Sequence, residues 1–169
     1  MKKTLFAAAV VAGAVFSGSA AEIDINGSFT GSGFGGRGFN WYRNSYLKPH
    51  VTRHQVNGSI AVQVKSINNK DGQIYSSPIP GKVGDKFTLS VLAKGTGEGQ
   101  LDLLLYDQKN QYVGMLKSAN FKVTQEMVKY TKEFTIPAKP GKEVAFIRVA
   151  FLTVKGGDIY FQKATLDKK

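Results

Sequence analysis

Cysteine is missing from all 169 positions, which excludes disulfides, a lipidated cysteine, a thiol nucleophile and any zinc–thiolate centre. A folded domain must then be held by its core. Histidine occurs only at His50 and His54, and tryptophan only at Trp41. Four residues apart on a strand, the histidines would lie roughly 13 Å apart, too far to share a tetrahedral metal. No apolar run reaches the ~20 residues that a membrane-spanning helix needs. The longest, Leu5 to Phe16, follows Lys2 and Lys3 and precedes small residues Ser17 to Ala21. That order reads as an export signal over residues 1–21, with residues 22–169 as a single domain in a secreted or periplasmic setting.

Acidic residues are also scarce, 12 against 23 lysines and arginines, for a formal charge of +11 that falls to +9 without Lys2 and Lys3. The lysines are scattered (Lys65, Lys70, Lys82, Lys94, Lys109, Lys117) rather than clustered, as on a solvated surface. Nucleic acid is not an expected partner. Affinity for an anionic polymer of the cell envelope is the sharper alternative.

No window beyond Glu22 keeps apolar residues at helical spacing over three turns, and a single turn near residues 125–129 is the most that could be helical. The period is two. Ile60, Val62 and Val64 alternate with Ala61, Gln63 and Lys65. Phe87, Leu89, Val91 and Ala93 alternate with Thr88, Ser90, Leu92 and Lys94, and Leu101, Leu103 and Leu105 with Asp102, Leu104 and Tyr106. Turn signals such as Lys70-Asp71-Gly72, Pro80-Gly81, Gly95-Thr96-Gly97 and Gly156-Gly157-Asp158 separate these segments. Strands at such spacing predict an all-β sandwich or jelly roll. Val144 to Val154 is apolar on both faces except at Arg148 and Thr153, as in a central strand covered on both sides.

Gly31, Gly33 and Gly36 have the G-x-G-x-x-G spacing of a dinucleotide loop, but no helix pattern follows to receive a phosphate, and Arg53 to Gly58 offers no carboxylate for a ribose. The glycines predict a loop that delivers Trp41. Catalysis finds no support either. Acidic residues fall mostly in turns, Asp102 and Glu133 have no reason to pair as a glycosidase needs, and no G-x-S-x-G elbow or oriented histidine is present.

Aromatic and planar polar residues on non-core faces remain: Trp41, Tyr42, Tyr46, Tyr106, Tyr112, Asp102 and Arg148. Aromatic faces pack on the C–H faces of sugar rings while arginine and carboxylate groups bond to adjacent hydroxyls. Trp41 and its neighbour Tyr42 point to opposite faces, so Trp41 is either a platform or core. A charge at Arg148, inside an apolar strand, costs stability unless a partner or a ligand meets it.

Asn26-Gly27-Ser28-Phe29, the aromatic at Trp41, Gly58 to Val62, Pro80-Gly81 leading to Asp85 to Gly95, Tyr130 to Pro137 and Asp158 to Phe161 occur in an order that resembles carbohydrate-binding modules of families four and nine. The resemblance covers nearly all of residues 22–169. It implies a galactose-binding-like jelly roll of two antiparallel sheets whose concave face binds glycan chains without catalysis. Its sugar contacts would fall on Trp41 or Tyr42, on Asp102 and Arg148, and on Tyr112. Many such modules hold a structural calcium through acids placed where this chain has Thr30 and Gln162-Lys163, so no cofactor is expected, although Asp24, Asp167 and backbone carbonyls could supply calcium ligands. The partner it implies is a glycan chain; a domain of this kind without an attached hydrolase would act alone, partner separately secreted glycoside hydrolases or cell-envelope components, or have lost its binding role. The competing expectation is a structural or assembly domain of the cell envelope that binds protein or anionic polymer through its basic surface.

Overall fold

The computed structural model describes residues 20–34, 40–43, 50–68, 70–139 and 141–169. Residues 1–19 of the expected signal segment, Gly36 and Tyr46 lie outside them.

The described residues contain no α-helix; residues 123–127, where the sequence offers a single turn of helix, carry an irregular link. Thirteen strands follow in order: β1 (Ala21–Ile23), β2 (Trp41–Tyr42), β3 (Val51–Val56), β4 (Ser59–Lys65), β5 (Gly72–Ser76), β6 (Ile79–Pro80), β7 (Lys86–Thr96), β8 (Glu98–Tyr106), β9 (Tyr112–Lys117), β10 (Phe121–Lys122), β11 (Val128–Thr135), β12 (Phe146–Thr153) and β13 (Asp158–Lys168). All pair antiparallel in two sheets. The first runs β11-β7-β13-β4-β3, with β1 beside the far end of β13. The second runs β10-β8-β12-β5-β2, with β9 further along β8 and β6 further along β12. This is the jelly-roll β-sandwich that the two-residue period implies.

The inward sets are the ones the alternation separates. Val62, Val64, Phe87, Leu89, Val91, Ala93, Ile159 and Phe161 from the first sheet meet Leu101, Leu103, Leu105, Ile147, Val149 and Phe151 from the second, all buried. Each large side chain removed from water contributes roughly 1.5–3 kcal/mol, the main stabilisation open to a chain without cross-links. Thr153, the polar break in β12, faces inward and donates its hydroxyl to the Val64 carbonyl 2.9 Å away, tying the sheets together.

At one end of the sandwich the Asn26-Gly27-Ser28-Phe29 stretch acts as a lock. Asn26 and Phe29 both have positive φ, 50° and 54°, and the tight turn they form drives the Phe29 ring into the core. Gly27 lies against a bulge in β13 between Gln162 and Thr165, where the Ala164 amide donates to the Gly27 carbonyl at 2.9 Å. A Cβ on Gly27 would overlap the Ala164 carbonyl oxygen. Only glycine fits.

That lock decides the fate of Trp41. The indole is fully buried, its ring centroid 5.1 Å from those of both Phe29 and Phe151, and its N–H donates to the Asn26 carbonyl at 3.1 Å. Trp41 is therefore core, not a platform. Burial of an indole is stable here because its one polar atom has a partner.

Candidate functional site

The outer face of the second sheet carries the remaining candidates. Strand pairing sets them in rows. Lys117, Asp102, Ala150, Tyr75 and Tyr42 lie side by side across five strands. One row along, Met115 and Leu104 lead to Arg148, and beyond them Tyr112 and Tyr106 lead to Phe146. On the other flank Gln100, Leu152 and Gln73 are aligned. A shallow groove of about 300 Å³ runs over this surface between Gln73, Tyr75, Leu104, Tyr106, Tyr112 and Met115. A second hollow of about 430 Å³ adjoins it at Tyr112, on the loop side.

Arg148 occupies the centre because the neighbouring strand breaks there. Ala150 pairs with Tyr75 and Ile147 with Ile79, so two residues of β12 face three, Ser76 to Pro78. Proline has no N–H for the ladder. The Ser76 hydroxyl fills part of the break by accepting from the Val149 amide at 2.9 Å. The Arg148 guanidinium leans into the same gap, Nη1 donating to the Ser76 carbonyl at a long 3.4 Å. Three rings surround it: its central carbon lies 5.3 Å from the Tyr106 centroid, 5.6 Å from Tyr75 and 5.9 Å from Tyr42. Cation–π attraction of about 0.5–2 kcal/mol offsets part of the desolvation. Yet Nε is buried without any partner, and Arg148 has no ion pair among the described residues.

The tyrosines divide into two pairs. Tyr42 and Tyr75 are near-parallel, 5.9 Å apart at 17°, and both half-buried. Tyr106 and Tyr112 meet edge to face at 5.9 Å, with Tyr112 52% exposed at the sheet margin. Burial pushes the Tyr106 phenol above its ordinary pKa, and the Arg148 charge opposes that rise.

Asp102 lies on the expected face but not at its surface. Both carboxylate oxygens are covered and have no hydrogen-bond partner. Burial raises its pKa from 3.8 to about 6, against the pull of Lys117 beside it and the Ser118 backbone. In this conformation it forms the floor of the face, so its expected role as a direct sugar contact is corrected along with that of Trp41.

Of the five expected contacts, the fold thus brings Tyr42, Arg148 and Tyr112 to one open face. Tyr75 and Gln73 were missed, although Gln73-Ile74-Tyr75 carries the signal: Ile74 is the inward residue of a three-residue alternation, which turns both neighbours outward. His50 and His54 gather no metal set, since among the described residues no three histidine or acidic side chains come together. The positions at which the resembling modules hold calcium make internal bonds. Thr30 donates to the Asn26 side chain, Asp24 accepts from the Asn26 amide, and the Gln162 side chain donates to the Val56 carbonyl.

No protein-family model matches the chain, and no curated protein matches its sequence. Solved structures do match its fold. An arabinose-bound family GH51 α-L-arabinofuranosidase superposes with a TM-score of 0.60 at 15% identity, over 88% of this chain and 26% of that one. The CBM22-1–GH10 modules of Clostridium thermocellum xylanase 10B, complexed with xylohexaose, give 0.57 at 17% identity, over 77% and 26%. A CBM4 carbohydrate-binding module gives 0.55 at 15% identity, over 85% and 98%. The chain spans about a quarter of the length of the first two and nearly all of the third. Its architecture is that of carbohydrate-binding modules.

Proposed function

We propose that the domain is a secreted, non-catalytic carbohydrate-binding module whose site is the outer face of the second sheet. The observation that carries this reading is the setting of Arg148: a half-buried cation with an unpartnered Nε, no ion pair among the described residues, and tyrosine rings on three sides. A sugar supplies what this site lacks. Its hydroxyl oxygens accept from the guanidinium, while its C–H faces pack on Tyr75, Tyr42, Tyr106 and Tyr112. Gln73 adds an amide at the groove wall. Five strands spaced about 4.8 Å apart give a face roughly 19 Å wide, enough for several linked sugar rings.

The similarity to carbohydrate-binding modules and to glycan-acting enzymes is one of fold and supports the reading without fixing the glycan. A hydrolytic role gains nothing from the face itself, where Asp102 is a lone, covered carboxyl rather than one of a facing pair. In the adjoining hollow Asp107 caps a turn by accepting from the Gln111 amide at 2.8 Å.

Native electrophoresis in gels cast with soluble neutral and acidic polysaccharides, at low and high salt, tests the proposal. Salt-insensitive retardation by a neutral glycan is expected, because stacking and hydroxyl bonding are little screened. Retardation by acidic polymers alone, lost at high salt, would replace it with an envelope domain acting through its lysines. No retardation would reject the glycan reading.

A further inference from the structure

We infer that the opposite side of the sandwich, the outer face of the first sheet, holds a second sugar-binding site centred on Tyr160. The inference shares with the proposed function the premise of a carbohydrate ligand, but uses none of the same residues.

An ordinary solvated sheet face carries mobile lysines and threonines. This one also carries an aromatic pair and hydrogen-bonded amides. Tyr160, half-buried on central strand β13, stands between Gln63 of β4 and Lys94 of β7 in one row. The His54 ring meets the Tyr160 ring edge-on, centroids 5.6 Å apart at 69°, so the two form an open corner. Ala61 is the cross-strand neighbour of His54. A depression of about 300 Å³ lies between His54, Lys94, Gln125 and Tyr160.

Polar groups of the same face, beside the depression rather than lining it, are hydrogen-bonded. Gln63 is only 5% exposed and donates to both oxygens of Asp158, at 2.8 and 3.0 Å. Gln162 is 4% exposed and donates to the Val56 carbonyl at 3.0 Å. The Thr52 hydroxyl lies 2.7 Å from His54 Nε2, which fixes the imidazole and leaves Nδ1 for another partner. By contrast, neither Lys94 Nζ nor the Tyr160 hydroxyl has a hydrogen-bond partner among the described residues.

Preformed geometry with free donors around one aromatic face is the chemistry of a sugar subsite. The ring of a neutral pyranose would pack on Tyr160, with its hydroxyls on Lys94, His54 and Gln125. At the edge of the same row set the Asp158 carboxylate is already paired with Lys65 at 3.5 Å and with the Gln63 amide. Because stacked sheets are about 10 Å apart, one short oligosaccharide cannot serve both faces. The domain would therefore be bivalent and able to join two glycan chains.

Amide and aromatic NMR shifts of the full chain, titrated with xylohexaose and with cellohexaose, test this. Two separate sets of shifts are expected, one around Tyr75 and Arg148 and one around His54, Tyr160 and Lys94. Tyr160→Thr should weaken the second set at least tenfold while leaving the first intact, and His54→Ala, at an exposed position less able to disturb folding, should weaken it in the same direction. Shifts confined to the Tyr75 face would overturn the second site and leave the proposed function standing. Shifts confined to the Tyr160 face would uphold the second site and overturn the first. Shifts at neither face, or shifts near Tyr160 that both substitutions leave unchanged, would overturn the inference.

Discussion

The two faces of the second sheet use aromatic residues in opposite ways. Against the inner face Phe29, Trp41 and Phe151 pack in a dry chain that runs on to Phe161 of the first sheet, with Trp41 and Phe151 at 23° and Phe151 and Phe161 at 19° and 5.2 Å. On the outer face the rings are tyrosines, paired at 5.9 Å and arranged around a cation. Adjacent residues, Trp41 and Tyr42, belong one to each side. The difference teaches that ring size alone does not mark a binding platform. What separates the two groups is whether the polar atoms are already satisfied: the indole N–H is, by Asn26, and the Arg148 guanidinium is not.

Substitutions should break this comparison in graded steps. Trp41→Ala should cost about 3–5 kcal/mol of stability by leaving a cavity, readable as a large drop in the denaturant midpoint. Tyr42→Ala, one residue along, should cost less than about 1 kcal/mol while weakening glycan retention. If the two behaved alike, the assignment of inner and outer rings would be wrong.

Asp102 should leave its mark in the pH dependence. Its pKa is raised in the folded chain, so the native state holds the proton more tightly than the unfolded one. Stability contributed by this group therefore falls as pH rises from about 4 through about 6, by up to about 3 kcal/mol. Chemical denaturation across that range should show the fall in the wild type and a flatter profile in Asp102→Asn. An unchanged profile would mean that the carboxyl is hydrated or paired in solution.

Gly27→Ala probes the lock that sends Trp41 inward. The added methyl would collide with the Ala164 carbonyl, which lies in backbone rather than in a movable side chain. A loss of about 1–3 kcal/mol is expected, together with a red shift of Trp41 fluorescence as the indole meets water. Retention of the wild-type emission maximum would show that the turn does not control the indole.

Much of the fold was legible because alternation in β7, β8 and β4 names the inward residues directly. The apolar character of Val144 to Val154 was misleading in one respect. It suggests a strand covered by layers on both sides, whereas the described residues form two layers, and Leu152 on the outer face is only half-buried. Arg148 was legible as a charge in an apolar strand. Its surroundings were not, since Tyr42, Tyr75 and Tyr106 come from three strands joined only by pairing, and the extra residue at Ser76 to Pro78 that makes room for the guanidinium is a matter of register. The burial of Trp41 was equally hidden. It depends on positive φ at Asn26 and Phe29, which no periodicity records.

The most direct test of the account is a calorimetric titration of Arg148→Ala with the glycan that retards the wild type, performed in the Tyr160→Thr background so that the second sheet provides the site being read. The account predicts at least a tenfold loss of affinity, about 1.4 kcal/mol or more, with a melting temperature equal to or above that of the parent, because an unpartnered buried group has been removed. Undiminished affinity in a protein that melts normally would contradict it.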